Sequence, residues 1–225
     1  MSLLAALPIL VELFTSEGCS SCPPADAALA RLAQRQPVPG VELVVLSEHV
    51  DYWDSLGWKD PFSQELFTDR QSRYAPAVAR RRIYTPQAVV DGRLDVLGSD
   101  EAGIQTAAKG AAADPHGTVR LEAAGQNVHF VVAGLPAHGP AQVLLAVVED
   151  GLVSQVLKGE NAGKTLPHTA VVRSLIGVGN IVQTATSLAG DAPLQLNPAW
   201  KKPRVVLFVQ DRESLRILAA GSASL

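Results

Sequence analysis

The sequence contains little cysteine: only Cys19 and Cys22 among 225 residues. Two cysteines are too few for the disulfide framework that stabilises small secreted domains. A chain of this length also buries enough apolar surface to fold without such cross-links. Whatever the two cysteines do is therefore local chemistry and not maintenance of the fold.

The sequence also has no large excess of charge of either sign. Its 19 basic and 22 acidic side chains give a net charge of −3, which provides no electrostatic reason to bind nucleic acid or an anionic membrane. No stretch approaches the roughly 20 apolar residues of a transmembrane helix. Residues 1–7 lack a basic segment and are not interpreted as a signal peptide. We therefore expect neither a nucleic-acid partner nor membrane insertion.

The two cysteines lie at a predicted junction between a strand and a helix. Residues 9–14 form an apolar run typical of a buried strand, and residues 22–36 have helical spacing that begins with two prolines. Unpaired N–H groups and the helix dipole favour a thiolate at such a junction. A C-x-x-C in this context indicates a redox pair. Cys19 is predicted to be the nucleophile and Cys22 the resolving thiol.

A polar and aromatic loop over residues 49–61 follows the second predicted strand, residues 41–46. In open α/β sheets the loops that leave the carboxyl ends of the strands share one edge, so this loop is expected beside the cysteines. One interpretation is ordinary packing of aromatic side chains. The other is a wall of the active-site cleft, in which Trp53 and Trp58 contact the substrate.

Two further residues of this loop carry titratable groups. His49 is a candidate proton shuttle, and Asp51 is a candidate base for Cys22. Two thiolates with one imidazole are also a donor set for copper or zinc. A metal site formed by Cys19, Cys22 and His49 is therefore the alternative, although the second C-x-x-C or paired histidines of common zinc sites are missing.

Pro86 follows Thr85 at the start of another predicted strand, where a missing N–H must be tolerated. An edge or a bulge would tolerate it. A cis peptide bond placed against the cysteines would also do so, and would leave the backbone of Thr85 free to pair with an extended substrate. Thr85 and Pro86 are predicted to form this substrate-binding shelf.

The chain is predicted to divide into an α/β domain at residues 1–112 and an all-β, sandwich-like domain at residues 118–225. Short strands with turn signals every ~8–12 residues favour the second assignment. His168 and Arg173 are interpreted as interior or edge residues of that β region. The run Arg80-Arg81-Arg82 is interpreted as a solvated helix end.

Three segments together resemble a known family. They are VELFTSEGCSSCPPAD at residues 11–26, HVDYWD and GWKDPF within residues 49–62, and YTPQ at residues 84–87. They resemble an uncharacterised bacterial family, a domain of unknown function, whose thioredoxin-like proteins are usually exported and carry a C-x-x-C-P-P motif. The resemblance covers about residues 9–98, and weaker likeness continues into the β region.

The resemblance implies a thioredoxin fold for the α/β domain, with a cis proline facing a thiol–disulfide site, and a periplasmic or secreted location. The chain departs from ordinary thioredoxin because no tryptophan precedes Cys19 and because 64 positions separate Cys22 from Pro86 (86 − 22 = 64). Both departures affect the part of the site that would select a substrate.

These observations predict a thiol–disulfide oxidoreductase that acts on a protein or a small thiol. No organic cofactor is expected, because the cysteines themselves carry the two electrons. The alternatives are a copper- or zinc-binding metallochaperone that uses the cysteine pair and His49, and a noncatalytic interaction protein that binds through residues 118–225.

Overall fold

Strands dominate the structure, with 42% strand against 17% helix. The computed structural model describes residues 6–78 and 81–225. Its strands are β1 (Leu7–Thr15), β2 (Val41–His49), β3 (Gln87–Val90), β4 (Leu94–Leu97), β5 (Thr118–Ala124), β6 (Asn127–Ala133), β7 (Ala141–Glu149), β8 (Leu152–Gln155), β9 (Thr165–His168), β10 (Val171–Ile181), β11 (Leu188–Pro193), β12 (Pro203–Asp211) and β13 (Ile217–Ser224). Its α-helices are α1 (Pro23–Arg35), α2 (Glu65–Tyr74) and α3 (Glu101–Ala111).

One mixed sheet of eight strands joins the two halves of the chain, in the order β13-β12-β7-β10-β2-β1-β3-β4. Strands β1 and β2 are parallel, as are β2 and β10, and the other pairs are antiparallel. Strands β11, β6 and β5 form a smaller sheet that shares a core with one face of β7 and β12. Strands β8 and β9 form a separate hairpin.

The predicted fold class is therefore wrong. Instead of an α/β thioredoxin-like domain followed by a separate all-β sandwich, the protein is mostly β, and four strands from its second half extend the sheet that contains β1 and β2. The reason is that β2 has a second edge, which β10 covers. Pairing between strands more than 100 residues apart leaves no mark on local periodicity. The division into residues 1–112 and 118–225 stays a prediction.

The two faces of β1 and β2 carry different neighbours. Successive strand residues point to opposite faces. The even-numbered apolar residues of β1 and β2 pack with α2, whereas the odd-numbered ones pack with α1 and α3. Thr15 and His49 are register partners at the ends of these strands, so both belong to the α1 face.

Helix α1 begins directly after the cysteine pair. The carbonyl of Cys22 accepts hydrogen bonds from the N–H groups of Ala25 and Asp26, and two prolines occupy the first helical positions, where a missing N–H costs little. The helix ends at Arg35 and is capped by Gln36, whose φ of 45° is left-handed. These bounds confirm the helix predicted at residues 22–36.

The arginine run at residues 80–82 follows α2, and part of it is described by the structure. Arg80 lies outside the described residues, whereas Arg81 and Arg82 are exposed. Within the described ranges, every helix is too short or too polar to cross a membrane.

Candidate functional site

Cys19 and Cys22 form a disulfide between the end of β1 and the start of α1, with their Cα atoms 5.4 Å apart. The N–H of Cys22 donates to the carbonyl of Cys19, which folds the segment into a tight turn. Ser20 and Ser21 on this turn are exposed, yet both cysteines are 0% exposed. The disulfide therefore lies under the protein surface.

Pro86 lies beside the start of α1. The Thr85–Pro86 peptide bond is cis, as the family resemblance implies. The carbonyl of Pro86 accepts a hydrogen bond from Gly98. A Cβ atom at Gly98 would come within 2.9 Å of Cβ of Pro86 and 3.1 Å of Cβ of Ala25, so the proline ring and the first turn of α1 enclose this glycine. Pro86 and the start of the helix that follows the cysteines therefore lie in one corner of the fold.

Trp53 connects this corner to the polar loop. Its Nε1–H donates to Oγ1 of Thr85 at 2.8 Å, and a Cβ atom at Gly18 would come within 3.1 Å of Cβ of Trp53. The half-buried indole therefore lies between the residue before Cys19 and the predicted shelf.

Trp58 lies on Glu17, the acidic residue two positions before Cys19. Its Nε1–H donates to Oε2 of Glu17 at 2.7 Å. The other carboxylate oxygen, Oε1, lies 3.0 Å from Nε2 of His168. Glu17 and His168 are both buried. His168, interpreted from sequence as a residue of the β region outside the site, is thus brought to the cysteine segment by β9.

His49 is held by Asp60. Its Nδ1 lies 2.7 Å from Oδ2 of Asp60, with both side chains fully buried, and the same oxygen accepts the N–H of Glu17 at 2.8 Å. Burial alone lowers the pKa of His49, but the Asp60 carboxylate outweighs it and the net pKa is raised above 6.5. Burial raises the pKa of Asp60, but His49 outweighs it and the net pKa is lowered.

The imidazole rings of His49 and His168 meet edge to face with centroids 5.0 Å apart, and Phe62 closes the triangle. Each ring uses one nitrogen for a carboxylate. The other nitrogens, Nε2 of His49 and Nδ1 of His168, are buried without a hydrogen-bond partner among the described residues.

Asp26 is a buried carboxyl one helical turn after Cys22. The N–H of Asp26 donates to the carbonyl of Cys22, so a backbone hydrogen bond joins the two residues. Its Oδ1 accepts a hydrogen bond from Oγ1 of Thr15 at 2.9 Å. Burial raises the pKa of Asp26 to about 6, against the opposing effect of His49 and His168.

Asp51 is tied to α2 and not to the cysteine segment. Its Oδ1 accepts a hydrogen bond from Oγ1 of Thr68 at 2.5 Å, and its N–H donates back to that hydroxyl. The pair anchors the polar loop on α2. The structure thus places the carboxylate of Asp51 against α2, whereas Trp53 and Thr85 are joined directly by a hydrogen bond.

A loop from the second half of the chain covers the cysteine segment. Residues 156–164, here called the cover loop, connect β8 to β9. Nδ2 of Asn161 donates to the carbonyls of Glu17 at 2.8 Å and Cys19 at 2.9 Å. Oε2 of Glu160 accepts the N–H of Ser20 at 3.0 Å. The loop therefore binds the backbone of residues 17, 19 and 20 beside the buried disulfide.

Comparison with known proteins identifies the family of this chain. The family model described as "Protein of unknown function (DUF1223)" matches residues 10–210. The chain belongs to the DUF1223 family. This confirms the resemblance seen in the sequence, and the family description states no activity.

Two solved structures are similar to this DUF1223 protein over nearly its whole length. A crystal structure of a protein from Agrobacterium tumefaciens has 30% identity and a TM-score of 0.78, and covers 97% of this chain and 95% of that one. HBP35 of Porphyromonas gingivalis has 17% identity and a TM-score of 0.68, and covers 99% of this chain and 76% of that one. The second likeness shows a shared fold alone. No protein with a curated description matches the chain.

The described residues of this DUF1223 protein do not form the metal site that the sequence offers as an alternative. Across residues 6–78 and 81–225 no group of three or more His, Cys, Asp or Glu side chains is arranged to hold a metal ion. Of the proposed ligands, Cys19 and Cys22 are bonded to each other and Nδ1 of His49 is occupied by Asp60.

Sequence reasoning assigned no role to Asp26 or Asn161. Asp26 carries a signal that could have been used: it is an acidic residue on the apolar face of α1, between Ala25 and Leu29. A carboxyl there must be buried, and a buried carboxyl near a cysteine is a candidate functional group. Asn161 carries no such signal, because 142 residues separate it from Cys19.

Proposed function

We propose that this DUF1223 protein is a thiol–disulfide oxidoreductase whose Cys19–Cys22 pair exchanges two electrons with a protein or small-molecule thiol. The observation that carries this function is the junction of β1 and α1, where the Cys19–Cys22 disulfide is followed within one helical turn by the buried carboxyl of Asp26, whose pKa is raised to about 6. A disulfide that only stabilised the fold would need no ionisable group beside it.

The exchange proceeds in two steps when the pair is reduced. The Cys19 thiolate attacks one sulfur of the substrate disulfide, which forms a mixed disulfide and releases one substrate thiolate. The Cys22 thiolate then attacks Sγ of Cys19, which restores the Cys19–Cys22 disulfide and releases the second substrate thiolate. Two electrons pass to the substrate. The same steps in reverse oxidise a substrate dithiol and reduce the pair.

Asp26 handles the proton of Cys22 in this scheme. The resolving thiol must lose a proton before it attacks, and a base works best when its pKa lies near the ambient pH. Burial raises the pKa of Asp26 to about 6, so its carboxylate accepts that proton and its acid form returns it. Thr15 keeps the carboxyl in place through its hydroxyl.

The corner formed by Trp53, Thr85 and Pro86 is where the substrate would bind. It adjoins the cysteine segment through Gly18 and Ala25. Pro86 is buried whereas Thr85 is partly exposed, so the backbone of Thr85 is the part of this corner that an extended substrate reaches. We further propose an oxidising location, periplasmic or secreted, because disulfides persist there.

The function is tested by insulin reduction with dithiothreitol as electron donor. Wild-type protein is compared with Cys19→Ser and with Ser72→Ala, a control that alters an exposed serine on α2. We expect Cys19→Ser to fall to the rate without protein and Ser72→Ala to remain close to wild type. Equal rates for wild type and Cys19→Ser would contradict the proposed function.

Two measurements then identify direction and substrate. Equilibration in glutathione buffers, read out by alkylation of free thiols, gives the reduction potential of the pair and therefore the direction of exchange. Cys22→Ser, which lacks the resolving thiol, should accumulate mixed disulfides with its substrate, whereas the double variant Cys19→Ser, Cys22→Ser should accumulate none.

A further inference from the structure

The cover loop occupies the backbone groups on both sides of the predicted nucleophile. Asn161 binds the carbonyls of Glu17 and Cys19, and Glu160 binds the N–H of Ser20. Asn161 is 0% exposed, as is Cys19. No external thiol reaches the disulfide while these contacts remain.

The cover loop is exposed along most of its length, and only Val156 and Asn161 of its nine residues are buried. Its base is closed by two backbone hydrogen bonds of Val156, to Gly163 and Lys164. At its tip Gly159, with a left-handed φ of 77°, packs against Trp58, and a Cβ atom there would lie 3.2 Å from Cβ of Trp58. The side chain of Glu160 is exposed. Segments with few buried contacts are those that open locally while the rest of a protein stays folded.

The groups that the loop occupies are those that a polypeptide substrate would use. They comprise two carbonyls and one N–H along residues 17–20. An extended peptide presents donors and acceptors along its backbone and replaces such contacts with its own. Dithiothreitol has no amide groups and cannot replace these contacts in the same way.

Given the exchange proposed above, on which this inference rests, we infer that the cover loop is an autoinhibitory segment that competes with an extended polypeptide substrate for the backbone around Cys19. The loop lifts before the disulfide reacts. A polypeptide replaces the hydrogen bonds of the cover loop with its own. A small reductant cannot do so, and it reacts only when the loop opens spontaneously.

The first measurement is the rate at which dithiothreitol reduces the disulfide of the folded protein, followed by thiol alkylation. We expect Asn161→Ala to react roughly tenfold to a hundredfold faster than wild type, since each of its two buried hydrogen bonds is worth about tenfold in the opening equilibrium. Glu160→Ala removes an exposed contact and should give a smaller increase. Asn197→Ala, which alters an asparagine in another loop whose side chain contacts Ala199, should react as wild type.

The second measurement replaces dithiothreitol with an unfolded peptide that carries one cysteine. Asn161→Ala should accelerate this reaction less than the dithiothreitol reaction, because the peptide displaces the loop with its own contacts. Equal acceleration of both reactions would overturn the polypeptide preference. If folded Asn161→Ala reacts with dithiothreitol at the wild-type rate, the cover loop does not limit access to the disulfide and the inference is wrong.

Two arrangements keep the test decisive. Where Asn161→Ala does not fold, as judged by circular dichroism, Glu160→Ala decides: it affects only an exposed contact, and an unchanged rate there overturns the inference. Reduction by dithiothreitol needs no catalytic turnover. Failure of insulin reduction would therefore reject the proposed function and leave the measured effect of the cover loop intact.

Discussion

Glu48 and His49 are neighbours at the end of β2, yet each belongs to a different buried polar cluster, because successive strand residues point to opposite faces. The arginine cluster, on the α2 face, comprises Glu12, Glu48, Arg70, Tyr74 and Gln210. The disulfide-face cluster comprises Thr15, Glu17, Asp26, His49, Asp60 and His168. Both clusters are buried and lie on the same two strands. They differ in their ionisable groups: the first is centred on an arginine, and the second contains the carboxyl of Asp26 with its raised pKa.

The arginine cluster surrounds a guanidinium that stays charged. Arg70 donates to Glu12, to Tyr74 at 2.9 Å and to Gln210 at 3.1 Å. Burial lowers the pKa of Arg70, but Glu12 outweighs it and the net pKa is raised. Burial, with Glu12 beside it, raises the pKa of Glu48 well above its ordinary value. Arg70 therefore stays charged, and its hydrogen bonds to Glu12, Tyr74 and Gln210 fit a structural role.

The disulfide-face cluster contains a buried carboxyl whose pKa lies near neutrality. The pKa of Asp26 is raised to about 6, and that of His49 is raised from 6.5. This face also adjoins the disulfide. The comparison teaches that one end of one strand pair carries a charge network built on a buried arginine on one side, and buried carboxyl and imidazole groups beside a disulfide on the other.

The largest effect is expected for Arg70→Met. It leaves Glu12 without its buried cation, and breaking such a pair costs about 3 to 5 kcal/mol in the free energy of unfolding. Urea unfolding of the oxidised protein measures this. Arg73→Met, an exposed position on the same helix, is the matched control and should change stability little. A cost for Arg70→Met no larger than that for Arg73→Met would contradict the structural role of the arginine cluster.

A smaller effect, dependent on pH, is expected for Asp26→Asn. The folded state raises the pKa of Asp26 from 3.8 to about 6, so it binds this proton more tightly than the unfolded state does. Stability therefore falls as pH rises between these two pKa values, and the cost is complete above the folded one. Asp26→Asn removes this dependence, and its stability relative to wild type should rise by about 2 to 3 kcal/mol from about pH 4 to about pH 7.

Urea unfolding at several pH values checks the Asp26 prediction. Asp69→Asn, an exposed aspartate on α2, serves as control and should follow the wild-type pH profile. A difference between wild type and Asp26→Asn that is constant with pH would show that Asp26 does not carry a displaced proton, and would remove it from the exchange scheme.

The smallest effect concerns a single proton in the disulfide-face cluster. Asp60→Asn removes the carboxylate that outweighs the burial of His49, so the pKa of His49 should fall relative to wild type. Titration of the imidazole ¹⁵N resonances measures this. Asp51→Asn, which changes the carboxylate bonded to Thr68 on α2, is the control. An unchanged titration of His49 in folded Asp60→Asn would mean that the ion pair does not set its charge.

Local patterns in the sequence were enough for the cysteine segment and for part of its surroundings. The C-x-x-C between an apolar run and a helical pattern placed Cys19 and Cys22 at a strand–helix junction, and both flanking elements are found there. The Thr85–Pro86 bond is cis. These features succeeded because strand, turn and helix signals act over a few residues, and the resemblance covered the same segments.

Long-range pairing was not predictable in the same way. The predicted separate sandwich is wrong because β10 pairs with β2 and places β7, β12 and β13 in the same sheet. The apolar sequence of a strand does not show which other strand pairs with it. For the same reason His168 was interpreted as part of the β region alone, although β9 brings it to Glu17.

By itself, then, the sequence determined the cysteine pair, its helix and its flanking proline, because these depend on residue types within one or two turns of chain. Only the tertiary structure decided that the disulfide is buried, that His49 and His168 meet in a buried polar cluster with Glu17 and Asp60, and that Asn161 binds the carbonyls of Glu17 and Cys19. Those properties arise from contacts between distant segments, whose free energy comes from burial and hydrogen bonds formed only once the sheet has assembled.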